Sequence, residues 1–224
     1  MFIQMMENRM IEEDKIKVGN HYIYHFFKRI TDIVVSIVAL VLLSPLIIAL
    51  SVIIFAQDGH NPFYKQIRVG QHGKLFGMYK FRSMIYNADK VLEKDPKLYQ
   101  KYLDNGFKLP EGEDPRITKI GAFIRKTSLD EIPQFLNVVI GKMSLVGPRP
   151  IVKEEMFEYG DKIQIFLSAK PGALGLWQAS GRANIEYPGR CDIELEYIRN
   201  ASYWYDVKVF FACCISILKK DGAF

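Results

Sequence analysis

From Ile30 to Ala56 the chain is apolar except for Thr31, Asp32 and a few serines, and the 24 residues from Ile33 to Ala56 could span a bilayer as a helix. Ser44-Pro45 sits at the centre of this run. A proline there removes one intrahelical bond and clashes with the preceding turn, which predicts a kink, while a serine hydroxyl can satisfy the freed carbonyl. Aromatic residues gather from Tyr22 to Phe27 ahead of Lys28-Arg29, as at a headgroup interface. Beyond Asp58-Gly59 the pattern shortens, and residues 62–70 and 74–81, around a glycine-rich turn, read as a small β-hairpin. Residues 86–108 are charged and helical, with Leu92, Leu98, Tyr99 and Tyr102 at loose helical spacing and Pro96 interrupting them, so they form a surface excursion. A turn cluster at 109–115 brings the chain back. Leu129, Ile132, Phe135, Leu136 and Val139 then fall on one helical face. Residues 151–168 read as a helix broken at Tyr159-Gly160, 170–182 as a glycine-rich loop, and 203–219 as a final helix with Val207, Phe210, Phe211, Cys214, Ile215 and Leu218 in one stripe. That stripe fits either a core or a membrane interface. The class is α/β (α+β), mostly helical with a small hairpin or sheet.

Charge decides how the apolar run enters a membrane. Lys15, Lys17, Lys28 and Arg29 precede it, and Lys65, Arg68, Lys74, Lys80 and Arg82 follow it. A single-pass helix concentrates positive charge on one side. A balanced pair of flanks fits a re-entrant helix broken at Ser44 and Pro45 that returns to its starting face. The run is too long for a cleavable signal peptide and no small-residue cleavage pattern follows it. The chain therefore divides into a mobile N-terminal extension (1–20), a re-entrant membrane helix (21–58) and a folded domain (59–224).

Composition narrows the class of partner. The chain has 224 residues, 49% hydrophobic, with a formal net charge of +5; this suits an anionic membrane face, and no nucleic-acid module is present. Three cysteines, Cys191, Cys213 and Cys214, form no Cys-x-x-Cys pair and read as reduced, structural thiols, which places the domain on a cytoplasmic face. The four histidines, His21, His25, His60 and His72, carry no zinc-site spacing beyond His21 and His25, which suit the headgroup region.

The candidate chemistry lies at Asp130 and Glu131, adjacent carboxylates between Arg125 and Arg149. Ser128 with Glu131 reads as a capping box that places both carboxylates in a first helical turn, although capping by Asp130 would accommodate Pro133 better. At such a place an ionised carboxylate can serve as a nucleophile or a magnesium ligand. Acidic residues in a first turn are also ordinary helix stabilisers, and Lys80 and Arg82 about Phe81 read equally as a solvated strand end.

The surrounding sequence separates these readings. Lys80-Phe-Arg-Ser-Met84, Asp114-Pro-Arg-Ile-Thr-Lys-Ile-Gly121, Thr127-Ser-Leu-Asp-Glu131, Val146-Gly-Pro-Arg-Pro150 and Gly175-Leu-Trp-Gln-Ala-Ser-Gly-Arg182 together resemble the signature of the bacterial monotopic phosphoglycosyl transferases. The resemblance runs from about residue 26 to the C-terminus, and only Ala183, ahead of Asn184, departs from it. It implies a re-entrant helix broken at Ser44-Pro45, membrane lipids as surroundings, and a bacterial inner membrane location with the catalytic domain on the cytoplasmic face.

It also implies a reaction. A sugar 1-phosphate passes from a UDP-sugar to undecaprenyl phosphate through an aspartyl-phosphosugar intermediate, releasing UMP and starting a surface glycan. On this pattern Asp130 is the nucleophile, and Asp130 and Glu131 form the magnesium site with Glu131 as holder. Arg125 meets the polyprenyl phosphate, Arg149 and Arg182 the nucleotide sugar, and Lys80, Arg82 and Asn184 support substrate binding. The segment 87–92 and the terminal residues 219–224 lean toward a hexose, galactose or glucose, as the sugar. Two rivals predict different products. A metal-dependent glycosyltransferase would release UDP, and its nearest Asp-x-Asp pair is the poor match Asp192-Ile-Glu194. A non-catalytic membrane scaffold would release no nucleotide. Oligomeric state is open.

Overall fold

The computed structural model describes residues 22–104, 109, 112–181 and 185–219. The extension over 1–20 and two of the expected substrate residues, Arg182 and Asn184, lie outside the described residues. Helix α1 (Tyr22–Leu42) and α2 (Ser44–Asp58) form the bent pair, their axes 60° apart. Among the described residues no single helix is long and apolar enough to cross a membrane. The bend has the expected chemistry: Pro45 has no N–H for the Val41 carbonyl, and Ser44 Oγ donates to that oxygen at 2.7 Å. Many apolar residues of both arms stay exposed, among them Phe26, Val34, Val38, Ile48, Val52 and Phe55.

The polar residues of α1 turn inward. Lys28 Nζ donates to Asp206 Oδ2 at 2.5 Å and to the Val146 carbonyl at 2.9 Å. Arg29 donates to the Val138 and Val139 carbonyls at 2.7 and 2.9 Å. Asp32 accepts from Ser144 Oγ and from the Leu145 amide. The expectation that Lys28 and Arg29 lie at a headgroup interface is thus corrected, because backbone carbonyls and the buried Asp206 carboxylate elsewhere in the chain hold them. With these two cations consumed, the balance of flanking charge says less about the return of the chain than its count suggests.

The hairpin forms as expected from β1 (Phe63–Val69) and β2 (Leu75–Phe81), antiparallel with Arg68 opposite Phe76 and Tyr64 opposite Lys80. The excursion is two short helices, α3 (Ala88–Lys94) and α4 (Pro96–Asp104), with Pro96 opening the second, where its missing N–H costs nothing. Helix α5 (Lys119–Lys126) is capped by Thr118, whose hydroxyl accepts from the Gly121 amide at 2.9 Å. Gly121 lies against Ser83 so closely that a Cβ would sit 1.8 Å from the Ser83 carbonyl oxygen. That contact joins two of the sequence blocks.

The helix expected around the carboxylates is split. Leu129–Glu131 is a 3₁₀ turn, and the α-helix α6 spans only Gln134–Val139, with Pro133 as its N-cap. The capping box is absent: Ser128 has left-handed backbone (φ 56°) and its side chain makes no cap bond. The buried face also differs, since Gln134, Asn137 and Val138 are buried while Leu136 is exposed. Asn137 explains the rotation, because it accepts from the Tyr79 amide and donates to the Gly77 carbonyl, both at 2.8 Å, and so binds β2 along its edge.

A second sheet pairs β3 (Ser144–Val146) with β4 (Gly172–Leu174) in parallel. Between them lie a 3₁₀ stretch (Lys153–Lys162), kinked at Gly160 (φ 47°), and α7 (Ile163–Ser168), so the expected break is there but the first half is not α-helical. After β4 come α8 (Leu176–Ala179), α9 (Gly189–Asn200) and α10 (Tyr203–Lys219). The main core gathers Val69, Leu145, Val146, Ile151, Phe166, Leu195 and Val209. In α10 the buried face is Asp206, Val209, Cys213 and Ser216, whereas Phe211 and Ile215 of the expected stripe are exposed together with Trp204.

Candidate active site

A 3₁₀ turn, a helix and a strand converge on Asp130. The 3₁₀ turn after the left-handed Ser128 presents it, α5 delivers Arg125 from one side, and β2 delivers Lys80 from the other. Asp130 is buried, with its Oδ2 3.7 Å from Lys80 Nζ. Glu131 Oε1 accepts from Lys80 Nζ at 2.9 Å and lies 3.5 Å from an Arg149 nitrogen. Lys80 therefore belongs at the centre of the site and not in its second rank. Burial raises the Asp130 carboxyl above its ordinary range; Lys80 opposes the shift, Glu131 adds to it, and Arg125 and Arg149 oppose it.

Arg125 donates through Nε to Ser83 Oγ at 2.8 Å, and burial lowers its pKa. Arg149 has its guanidinium 5.3 Å from the centre of the Trp177 ring, while its own backbone N–H donates to Glu194 Oε1 at 3.1 Å. Arg82 stands elsewhere: its guanidinium meets both Asp58 oxygens, at 2.5 and 2.6 Å, and so ties the end of α2 to the end of β2. Ser44 and Pro45 act at the α1–α2 bend and not at the site.

A glycine-rich segment such as 170–182 can offer backbone amides to a phosphate, but Gly172 and Gly175 are packed against backbone instead. A Cβ on Gly172 would lie 2.1 Å from the Gly147 nitrogen, and one on Gly175 would lie 2.6 Å from the Gly147 carbonyl oxygen. These glycines allow two chain segments to touch behind Arg149.

A narrow cleft opens beside the carboxylates, lined by Arg68, Met78, Glu131, Gln134, Arg149, Pro150, Gly172 and Gln178. Sequence reasoning counted Arg68 only among flanking charges and missed Gln134 and Gln178. The alternation of β1 and β2 carried the signal for Arg68, because the residue opposite Phe76 shares the inner face of the hairpin with Met78 and Lys80. Glu194 was noted only as half of a poor metal pair. It is fully buried on α9 while Asp192 is exposed, so the two do not face one ligand. Burial pushes the Glu194 carboxyl up to about 7, against the Arg149 amide, Arg190 and Arg149, and its Oε2 has no hydrogen-bond partner.

Among the described residues no group of three or more His, Cys, Asp or Glu could hold a metal ion. A magnesium ion needs only one or two carboxylates when substrate phosphates and water complete its shell. Asp130 and Glu131 meet that requirement, and the ammonium that bridges them shows that the pair attracts a cation.

The profile of the bacterial sugar transferases matches residues 23–220, and the chain belongs to that family. A Salmonella typhimurium protein, undecaprenyl-phosphate galactose phosphotransferase, is 47% identical over 203 residues, which is 89% of this chain and 42% of that protein. A Klebsiella pneumoniae UDP-glucose:undecaprenyl-phosphate glucose-1-phosphate transferase is 37% identical over 193 residues, 83% of this chain and 38% of its own. The exopolysaccharide production protein ExoY of Sinorhizobium fredii is 39% identical over 201 residues, 88% of both chains. The chain thus spans about two fifths of the first two relatives and most of the third.

Proposed function

We propose that the protein transfers a hexose 1-phosphate from a UDP-sugar to undecaprenyl phosphate at a membrane surface, in two steps through Asp130. The observation that carries this reading is the buried Asp130 carboxylate 3.7 Å from Lys80, next to Glu131, which lines a cleft together with Arg149. The relatives' names supply the substrate class. In the first step an Asp130 carboxylate oxygen attacks the sugar-bearing phosphorus. A phosphorus–oxygen bond forms there, the bond to the bridging oxygen breaks, and its electron pair leaves with UMP. In the second step a phosphate oxygen of the lipid attacks the same phosphorus and the aspartyl oxygen departs. Lys80 and Arg149 offset the donor's charge, and Arg125, on the other flank of Asp130, is assigned to the lipid phosphate. A magnesium ion held by Glu131, with Asp130 beside it, would neutralise diphosphate charge.

Membrane attachment is part of the same reading. The bent α1–α2 pair is read as re-entrant, and Phe123 on α5, Leu136 on α6 and Trp204, Phe211 and Ile215 on α10 are further exposed apolar side chains suited to a lipid surface. Such a surface suits the cytoplasmic face of a bacterial inner membrane, where a soluble donor meets a lipid acceptor. Splitting the transfer in two lets each substrate arrive from its own phase.

The test is intact-protein mass spectrometry after mixing with UDP-galactose or UDP-glucose without lipid acceptor. Wild type gains one hexose phosphate and releases UMP, whereas Asp130→Asn does neither, because an amide cannot form the acyl phosphate. Glu131→Gln loses activity by roughly two to three orders of magnitude and recovers partly at high magnesium. A labelled Asp130→Asn protein, or transfer that requires both substrates together, overturns the covalent route.

A further inference from the structure

We infer that Arg68 grips the nucleotide-side phosphate of the donor and takes up the charge that appears on it as UMP departs, an assignment that rests on the function proposed above. The hairpin sets the geometry. Arg68 lies opposite Phe76, and Phe76, Met78 and Lys80 alternate onto one face, so Arg68 and Lys80 stand at two ends of the same inner surface with Met78 between them. Their positions are four residues apart along the ladder, roughly 13 Å of strand rise. Arg149 connects these ends, 3.5 Å from Glu131, lining the same cleft as Arg68 and acting on it through its charge. The order along the cleft is therefore the Asp130–Glu131–Lys80 cluster, then Arg149, then Arg68.

In-line displacement requires the leaving group to depart on the side away from the nucleophile. With Asp130 at one end, the bridging oxygen and the phosphate behind it point toward Arg149 and Arg68. As the bond breaks, one further negative charge settles on the nucleotide phosphate, and a cation already in place there stabilises the transition state more than the ground state.

Arg68 is poised for a ligand it does not have within the chain. Its side chain is 15% exposed, and its bonds are long, 3.4 Å to the Pro150 carbonyl and 3.5 Å to Glu155 Oε2. Its buried Nε has no partner. A guanidinium has five N–H donors and suits a phosphate in two-pronged fashion. Burial, and then the neighbouring Arg149 charge, lower its pKa to about 10. A dianion between the two arginines relieves that repulsion.

The test compares wild type, Arg68→Ala and Arg68→Lys, in lipid nanodiscs, for binding of UMP and of uridine and for the two half-reactions measured separately. Arg68→Ala should weaken UMP about 10- to 100-fold, as for a lost charge-assisted pair, and leave uridine within about twofold. UMP release without acceptor should slow about 10²- to 10³-fold, with Arg68→Lys between, while discharge of a preformed adduct by polyprenyl phosphate stays within about twofold. Equal weakening of UMP and uridine, or discharge slowed as much as formation, would show that Arg68 merely props the Pro150 segment and would overturn the inference. So would a wild type that binds UMP no better than uridine. If wild type forms no adduct but its UMP affinity still depends on Arg68, the covalent route fails and the assignment of Arg68 stands.

Discussion

At the scale of single residues the site is electrostatically crowded, and its buried carboxyls carry the consequence. Glu194 is the clearest case, because among the described residues it accepts a hydrogen bond from the Arg149 amide alone and its pKa rises from the ordinary 4.5 to about 7. Between these values the unfolded chain loses the proton and the folded chain keeps it. Stability contributed by the protonated form therefore falls as pH rises from about 4.5, is lost through about 7, and levels off above. Arg149 and Arg190 oppose that shift, burial outweighs them, and Tyr159 faces the same space. Glu194→Gln keeps an acceptor for the Arg149 amide but cannot ionise. Urea unfolding at a series of pH values should show the wild type losing stability relative to the variant from pH 4.5 to 7, and a constant difference across that window would refute the assignment. Asp130, Glu131, Lys80 and Arg149 were legible in the sequence because a resemblance marks the blocks that hold them. Glu194 and Arg68 were not, since what matters about each is a partner more than 40 residues away in the chain.

Among elements, the short parallel pair β3–β4 shows how the chain uses glycine. Gly172 has no special dihedral to adopt; it is required because the Gly147 backbone lies where a Cβ would go, 2.1 Å from its nitrogen. Backbone on both sides cannot yield as a side chain can. Gly172→Ala should cost about 3 kcal/mol or more, lowering Tm by roughly 6 to 12 °C for a domain of this size. Gly189→Ala, whose new methyl would meet Ile185 at an ordinary 3.5 Å, is the control and should change Tm little. Equal Tm values for the two variants would mean that the strands move apart without penalty. The hairpin, the helix break at Pro45 and the excursion at Pro96 were legible because local chemistry dictates them. The split at Glu131 and the rotation of α6 were not, because Asn137 trades helix amphipathicity for bonds to the edge of β2.

For the whole molecule, the question is what holds α1 and α2 at their 60° bend. Proline makes a bend cheap but does not choose its direction. The catalytic body grips both arms: Asp32, Lys28 and Arg29 bind α1 to β3, α10 and α6, while Leu50 and Ile54 of α2 pack with Phe81, Ile124 and Ile132. Asp206 also accepts from Tyr24 at 2.9 Å and from Tyr197 at 2.6 Å, so one carboxylate joins α1, α9 and α10. Pro45→Leu alone should therefore leave the topology unchanged. In intact cells, cysteines introduced at Tyr22 and at His72 should both be protected from an impermeant maleimide, in wild type and in Pro45→Leu. Native thiols contribute little background, because Cys191 and Cys213 are buried, and burial pushes the Cys191 thiol up to about 11 and also raises that of the half-buried Cys214. Adding Asp32→Leu and Asp206→Leu to Pro45→Leu removes the buried Asp32 carboxylate and the Lys28–Asp206 pair, leaves Arg29 as the remaining polar anchor of the first arm, and should expose position 22 to the reagent. If Pro45→Leu alone exposes it, the proline and not the grip of the catalytic body sets the bend. If the triple variant still protects it, the packing of α2 is sufficient.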